Sequence, residues 1–198
     1  MPFPDWRDIS YLAAGTKRQQ QAYGVLITLD VLTILDVYDP VLVGTIPLDI
    51  DIPGSDLDII CHSEDRVNFQ QAVIAAYGGQ PGFQIKQTTH NGLPTIVANF
   101  EPAVTLDGQA VCLPVELFGQ PHPVQDQNAY RHMVVEAHLL HMGGPTARAA
   151  IRALKEQHGL KTEPAFARYF GLTGDPYQRL LELADLDDEA LRLAVTVD

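Results

Sequence analysis

The stretch Val43-Gly44-Thr45-Ile46-Pro47-Leu48-Asp49-Ile50-Asp51-Ile52-Pro53-Gly54-Ser55-Asp56-Leu57-Asp58-Ile59-Ile60 decides the fold. A short apolar strand, Val41–Val43, ends in the turn Gly44-Thr45, a loop follows, and a second strand is predicted over 57–61. Asp56 and Asp58 stand at i and i+2, and side chains two apart on a strand share one face. Leu57 and Ile59 then point the other way, into a core. Two carboxylates side by side in an otherwise apolar strand repel each other and are costly to desolvate. A hard divalent cation, Mg2+ or Mn2+, relieves that repulsion through oxygen ligands. The combination points to metal-assisted phosphoryl chemistry.

A third carboxylate stands downstream in Pro114-Val115-Glu116-Leu117-Phe118. A strand over 111–118 puts Val111, Leu113, Val115 and Leu117 on one face and Cys112, Pro114, Glu116 and Phe118 on the other. Glu116 is read as the third ligand; the plainer reading is an edge-strand glutamate turned to water. Pro114 removes one ladder hydrogen bond, which predicts an edge or bulged strand.

Working outward, residues 6–14 read as a short helix, and Thr16 caps a second one reaching Leu29. Residues 31–37 fit a helical turn or a strand, and Asp39-Pro40 marks a turn. A helix over 65–77 stops at Gly78-Gly79. Extended segments over 83–89 and 95–100 flank the hairpin signal His90-Asn91-Gly92, and Asp107-Gly108 is a second such signal. From Asp126 onward the pattern is helical. A long helix ends at Gly143-Gly144, and Pro145 opens the next, to His158. Shorter helices follow over 163–170, 175–184 and 187–194. The break at 119–123 divides an α/β part, 1–122, from a helical part, 123–198, which is expected to pack on it.

The 198 residues are 46% hydrophobic, ordinary for a folded protein, with disorder expected only at the last few residues. No apolar run reaches membrane-span length, and the N-terminus lacks a signal-peptide pattern. Cys61 and Cys112 sit in strand-like apolar runs and read as buried, reduced thiols of a cytoplasmic protein. The 25 acidic and 13 basic residues leave a net charge of −12. That charge argues against long DNA or RNA as a partner and suits neutral or cationic small substrates. No P-loop and no Gly-x-Ser-x-Gly elbow occurs.

The Gly-Thr turn, the spacer, Ser55-Asp56-Leu57-Asp58 and the later Glu116 resemble the nucleotidyltransferase superfamily that includes DNA polymerase beta, over roughly residues 38–120. Thr45 stands where a serine is usual, and the hydroxyl is kept. The spacer lacks the arginine and inner glycine common in the antibiotic-modifying members. The runs Tyr38-Asp39-Pro40-Val41-Leu42-Val43-Gly44-Thr45-Ile46-Pro47-Leu48, Gln127-Asn128-Ala129-Tyr130-Arg131-His132-Met133, Lys161-Thr162-Glu163-Pro164-Ala165-Phe166-Ala167 and Gly174-Asp175-Pro176-Tyr177 are similar to a bacterial family known as a domain of unknown function, family 4269. The resemblance implies an α+β fold: a nucleotidyltransferase-like mixed sheet with flanking helices and a C-terminal helical bundle. It implies a nucleoside triphosphate as substrate and Mg2+ (or Mn2+) as cofactor, held by Asp56, Asp58 and Glu116, with Glu116 acting as the base itself as the alternative. A nucleoside monophosphate would pass to a hydroxyl of a small molecule or protein. Gly44, Thr45 and Ser55 would meet the phosphates.

Arg131 and Lys161 are further phosphate candidates, and Tyr130 could stack on a base. Lys86, Arg168 and Arg179 are weaker ones. Asp49 and Asp51 read as solvated loop residues, with a contact to a cationic substrate as the alternative. His132, His138 and His141 share a helix and read as structural. Acceptor and oligomeric state are not legible. A nucleotide-binding module without activity, or a toxin/antitoxin-like protein-interaction module, stands as the alternative to an enzyme.

Overall fold

The computed structural model describes residues 3–195, so the expectation of terminal disorder falls at its end on 196–198, outside the described residues. A five-stranded mixed sheet runs in the order β1 (Val41–Val43), β2 (Leu57–His62), β7 (Val115–Gln120), β4 (Leu93–Phe100) and β3 (Gln84–His90). β2 and β7 are parallel and every other neighbouring pair is antiparallel. A parallel pair needs a long crossover. Here it consists of α4 (Arg66–Tyr77), the β3–β4 hairpin, and a small hairpin of β5 (Val104–Leu106) and β6 (Gln109–Val111).

Alternation along the strands gives the sheet two buried faces. Leu57, Ile59, Cys61, Leu117, Ile96 and Ala98 face a core completed by α2 (Lys17–Leu29) and α4, through Val25, Leu26, Phe69 and Val73. Val41, Val43 and Ile60 face a second core shared with the C-terminal helices. Those helices are α5 (Asn128–His158), α6 (Thr162–Tyr169), α7 (Pro176–Ala184) and α8 (Asp188–Ala194). The N-terminal helix α1 (Ser10–Ala13) and α3 (Val31–Ile34) are single turns, and Asp36–Tyr38 is a 3-10 turn.

Local chemistry sets the boundaries. Thr16 and Gln19 form a reciprocal capping box at α2, and the Asp65 carboxylate accepts from the Val67 and Asn68 amides at α4. Asn91 (φ 51°) and Gly92 (φ 78°) turn the β3–β4 hairpin, and Asp107 (φ 49°) and Gly108 (φ 76°) turn the small one, as the primed hairpin turns require. α5 is two helices joined across a kink at Gly144 (φ 62°, ψ −157°), ahead of Pro145, as the expected stop at Gly143-Gly144 and restart at Pro145 require.

Four expectations are corrected. β7 is the third of five strands, not an edge. The chain leaves the sheet after Val111, so Pro114 lies outside the ladder, and its carbonyl accepts from the Leu57 amide at 2.8 Å. Asp56 precedes β2 rather than belonging to it. Cys112 is exposed in the connection to β7, whereas Cys61 is buried, and both thiols are free. The first helix is shorter than 6–14, because Trp6 is used as a plug in the second core. Among the described residues no helix is long and apolar enough to cross a membrane.

Candidate active site

Register brings the carboxylates together. Asp58 on β2 is paired with Glu116 on β7, and Glu116 in turn with Asn99 on β4. Paired residues point to the same face, and neighbouring strands lie about 4.8 Å apart. The three side chains therefore form a row across the sheet centre. Burial pushes the Asp58 carboxyl up to about 7, with the charges of Asp56 and Glu116 adding to it. Burial also raises Glu116, as does Asp56, while Lys86, a hydrogen bond from Asn99, and His90 act against the rise. Asp56 is exposed at the mouth of this row, near enough to act on both.

Gly44 follows β1, whose last residue, Val43, pairs with Asp58. Its φ of 84° favours glycine, and a Cβ there would lie 2.5 Å from Asp58 Oδ2. The turn thus keeps its backbone against the carboxylate, leaving room for an oxygen-rich ligand.

The loop over 46–55 is held from both sides. The Ser55 hydroxyl accepts from the Ile52 amide at 3.0 Å, and the Thr45 hydroxyl donates to it at 3.5 Å. Gln19 Nε2 donates to the Ile46 and Pro47 carbonyls. Arg148, Arg152 and Lys155 of α5 donate to the carbonyls of Leu48, Asp49, Asp51 and Ile50. Asp49 pairs with Arg152, and Asp51 lies 3.9 Å from Arg18. The two loop acids are internal struts, not solvated residues.

Above the row opens a cleft of about 570 Å³. Its sheet wall carries Gly44, Thr45, Asp58 and Glu116; its helical wall carries Gln127, His132, Glu136 and Glu163. His90 and Asn91 of the hairpin turn close one end. Gln127 Nε2 donates to the Cys61 and His122 carbonyls, both at 3.0 Å. His132 Nδ1 lies 3.4 Å from Glu163 Oε1, and His132 Nε2 lies 3.0 Å from the Tyr177 carbonyl. Burial opposes ionisation of Glu163, but the hydrogen bond from His132 and nearby positive charge hold it below the usual range. Glu136 is raised well above its usual value by burial and by the charge of Glu163.

Asp58, Glu116, Gly44 and Thr45 thus share one cleft, with Asp56 at its rim. Ser55 lies behind them as a loop brace. Two phosphate candidates fall elsewhere. Arg131 donates to the Leu181 carbonyl and to Asp185, and Lys161 is exposed ahead of α6; neither lines the cleft. Tyr130 packs on the second core. His138 pairs with Asp188 and stacks on Phe3, a structural role. Sequence reasoning missed Asn99, Gln127, Glu136 and Glu163. Glu136 carried a usable signal: it interrupts the apolar run Met133-Val134-Val135-Glu136-Ala137, as Glu116 interrupts its strand.

The fold is nucleotidyltransferase-like. It is similar to a chain of the GLD-2/RNP-8 complex (TM-score 0.55, 13% identity, covering 96% of this chain and 77% of that one). It is also similar to the Cid1 poly(U) polymerase with MgGTP bound (TM-score 0.50, 14% identity, 88% and 54%) and to Cid1 with its short product ApU (0.50, 14%, 90% and 54%). The chain spans about half the length, 54%, of these Cid1 chains. The sequence matches the family described as Domain of unknown function (DUF4269) over residues 24–183, and the protein belongs to that family. No curated protein matches it.

Proposed function

We propose that this protein is a metal-dependent nucleotidyltransferase, moving a nucleoside monophosphate from a triphosphate to a hydroxyl of an acceptor. One observation carries the reading: Asp58 and Glu116 stand in register on adjacent parallel strands, facing a cleft whose turn, at Gly44, leaves Asp58 uncovered. In this reading residues 1–122 supply the reacting face and 123–198 shape the acceptor side.

The donor set fits Mg2+. Among the described residues no three His, Cys, Asp or Glu side chains enclose a metal by themselves. Mg2+ asks for no such cage: it keeps several waters and takes one or two carboxylates plus substrate phosphates. Asp58 and Glu116, with Asp56 at the rim, offer oxygen only and carry charges that repel until a cation joins them. When bound, Mg2+ supplies charge neutralisation on the triphosphate and on the attacking oxygen.

The chain's own residues do the rest. Amides of the Gly44-Thr45 turn approach the phosphates, since glycine permits close backbone contact. Glu116, oriented by Asn99, takes the proton of the acceptor hydroxyl. The oxygen then bonds to the α-phosphorus, the bond to the β-phosphate oxygen breaks, and pyrophosphate leaves. Catalysis rests on positioning and fixed charge. The Cid1 structures with MgGTP and with ApU support a nucleotide in a site of this fold. Calorimetric titration of ATP, GTP, CTP and UTP with Mg2+, on wild type and Asp58→Asn, tests the proposal. Metal-dependent binding that the variant loses supports it; no binding of any triphosphate at millimolar concentration removes it and favours a protein-interaction role.

A further inference from the structure

We infer that the hairpin end of the cleft is a nucleobase subsite, and that Gln120 makes it select a base with an amino group at its pairing edge, adenine or cytosine, over guanine and uracil. The inference rests on the nucleotidyltransferase reading, because it concerns the triphosphate of that reaction, but its observations lie apart from the carboxylates.

The first is the order of side chains along one face of β7. Glu116, Phe118 and Gln120 alternate onto the cleft side of the strand, and all three line the cleft. Register sets Ile60 of β2 beside Phe118, so an apolar step separates the acidic pair from the amide. His90 of the hairpin tip meets the Phe118 ring at right angles, with centroids 5.4 Å apart. A strand rise of about 3.3 Å per residue carries Gln120 about 13 Å from Glu116. A nucleotide whose α-phosphate sits at the carboxylates would run its ribose over Ile60 and Phe118 and bring the edge of its base to Gln120. Ligand sites commonly have this make-up, apolar walls with a few placed polar groups.

The second is an amide held by one end only. Gln120 is 4% exposed, and its Nε2 donates to Thr95 Oγ1 at 3.0 Å and to the His90 carbonyl at 3.4 Å. Those partners settle which way the amide points. The His90 carbonyl can only accept, and the Thr95 hydroxyl spends its proton on the Leu93 carbonyl at 3.0 Å. The NH2 therefore faces them, and Oε1 faces away. Among the described residues Oε1 accepts no hydrogen bond, yet it is not sealed: the partnerless side-chain atoms shut off from solvent are Tyr11 Oη and Gln127 Oε1. The other face of the sheet is the first core, so the open surface of Gln120 lies on the cleft. Buried polar groups are nearly always partnered, and a fixed acceptor opening on a cleft calls for a donor from the ligand.

The fixed acceptor sets the specificity. Adenine and cytosine carry an amino group where guanine and uracil carry a carbonyl oxygen. Either amino group donates to Oε1. A carbonyl in the same place would set lone pair against lone pair, and the amide cannot turn its NH2 outward without giving up both Thr95 and His90. Discrimination of this kind comes as much from the polar group left unpaired with the wrong ligand as from the contact made with the right one.

The test titrates a matched pair of probes calorimetrically, with Mg2+, into the full chain: ATP, and purine riboside triphosphate, which is ATP with hydrogen in place of the amino group. Wild type is expected to bind ATP about tenfold or more tightly than the analogue, equivalent to one decade of Kd. Gln120→Met is expected to bind the two alike, at the affinity wild type shows for the analogue, and thermal melts establish that this variant is folded. CTP is expected to exceed UTP in wild type in the same way. Equal binding of ATP and the analogue by wild type overturns the subsite and leaves the transferase reading in place, whether or not the variant folds. A folded Gln120→Met that keeps the wild-type preference, or that weakens both nucleotides alike as loss of a purely structural amide would, overturns it too. Absence of binding by any triphosphate removes the transferase reading and the subsite with it.

Discussion

The two walls of the cleft handle acidic groups in opposite ways. On the sheet wall Asp58 and Glu116 are forced together by register, and among the described residues neither has an ion-pair partner in the cleft lining, though Lys86 and His90 act against the rise of Glu116. On the helical wall Glu163 is held by His132, and Glu136 has Lys155 nearby. Burial and mutual repulsion keep the Asp58 carboxyl up to about 7, a tension that folding alone does not relieve. Perturbed groups of this kind cluster at functional sites. Polar groups that serve only the fold, such as those bracing the loop over 46–55, are satisfied within the chain.

The sharpest way to break the comparison is Asp58→Asn. If the sheet wall performs the transfer, the variant loses about a thousandfold in turnover, the scale of removing one charge-stabilising group from a reaction centre. In the cation-free protein it should be more stable than wild type at pH 8, by roughly 1–3 kcal/mol in urea melts, because repulsion and desolvation are removed. A loss of both activity and stability would mean that Asp58 serves packing.

Gly44→Ala tests the same wall through its backbone. The new methyl would stand 2.5 Å from Asp58 Oδ2, at a φ of 84°. Such positions cost about 1–3 kcal/mol when glycine is replaced. Denaturant unfolding should show that loss, with Mg2+-triphosphate binding impaired as well. A variant as stable as wild type would mean that the turn shifts easily and holds no fixed geometry.

The pH dependence sharpens the contrast further. The Asp58 carboxyl has the ordinary value of 3.8 when unfolded and is pushed up to about 7 by burial and the neighbouring charges when folded. Between these values the folded chain keeps a proton that the unfolded chain has released, so stability from this group falls as pH rises through the window. Mg2+ binds the ionised form only. The rise in Tm with Mg2+ should therefore be full above about 7 and shrink below it. A Mg2+ effect independent of pH from 5 to 8, about three decades in proton activity, would place the ion elsewhere.

How much of this was legible in the sequence follows from what each signal depends on. The Thr16 cap, the Asn91-Gly92 turn and the stop at Gly144 are local, and each stands where its chemistry put it. The carboxylates of Asp58 and Glu116 were found because charge in an apolar strand is rare, and their pairing needed only a parallel register. Pro114 misled because its cost applies within a ladder, and whether the chain is in the ladder there is a tertiary fact. Arg131 and Lys161 misled for a related reason: helix rotation decides which way a basic side chain points. Asp49 and Asp51 looked solvated because their partners, Arg152 and Arg18, are distant in sequence. Residue type indicates which chemistry is possible, while partners more than a turn away decide whether it is free to act.

The smallest predicted effect concerns Arg131, the candidate that fell outside both walls. Its guanidinium ties α5 to α7 through the Leu181 carbonyl at 3.2 Å and through Asp185, which is largely exposed. Exposed ion pairs contribute little because water screens them and long side chains lose freedom. Arg131→Ala should lower stability by less than about 1 kcal/mol in urea melts. Mg2+-triphosphate binding should stay unchanged, because no atom of the cleft depends on this tie. A marked fall in triphosphate affinity with stability intact would show that Arg131 swings inward when nucleotide arrives. It would also mean that the cleft is not purely acidic in its working state, and the contrast between the walls would then hold only for the ligand-free chain.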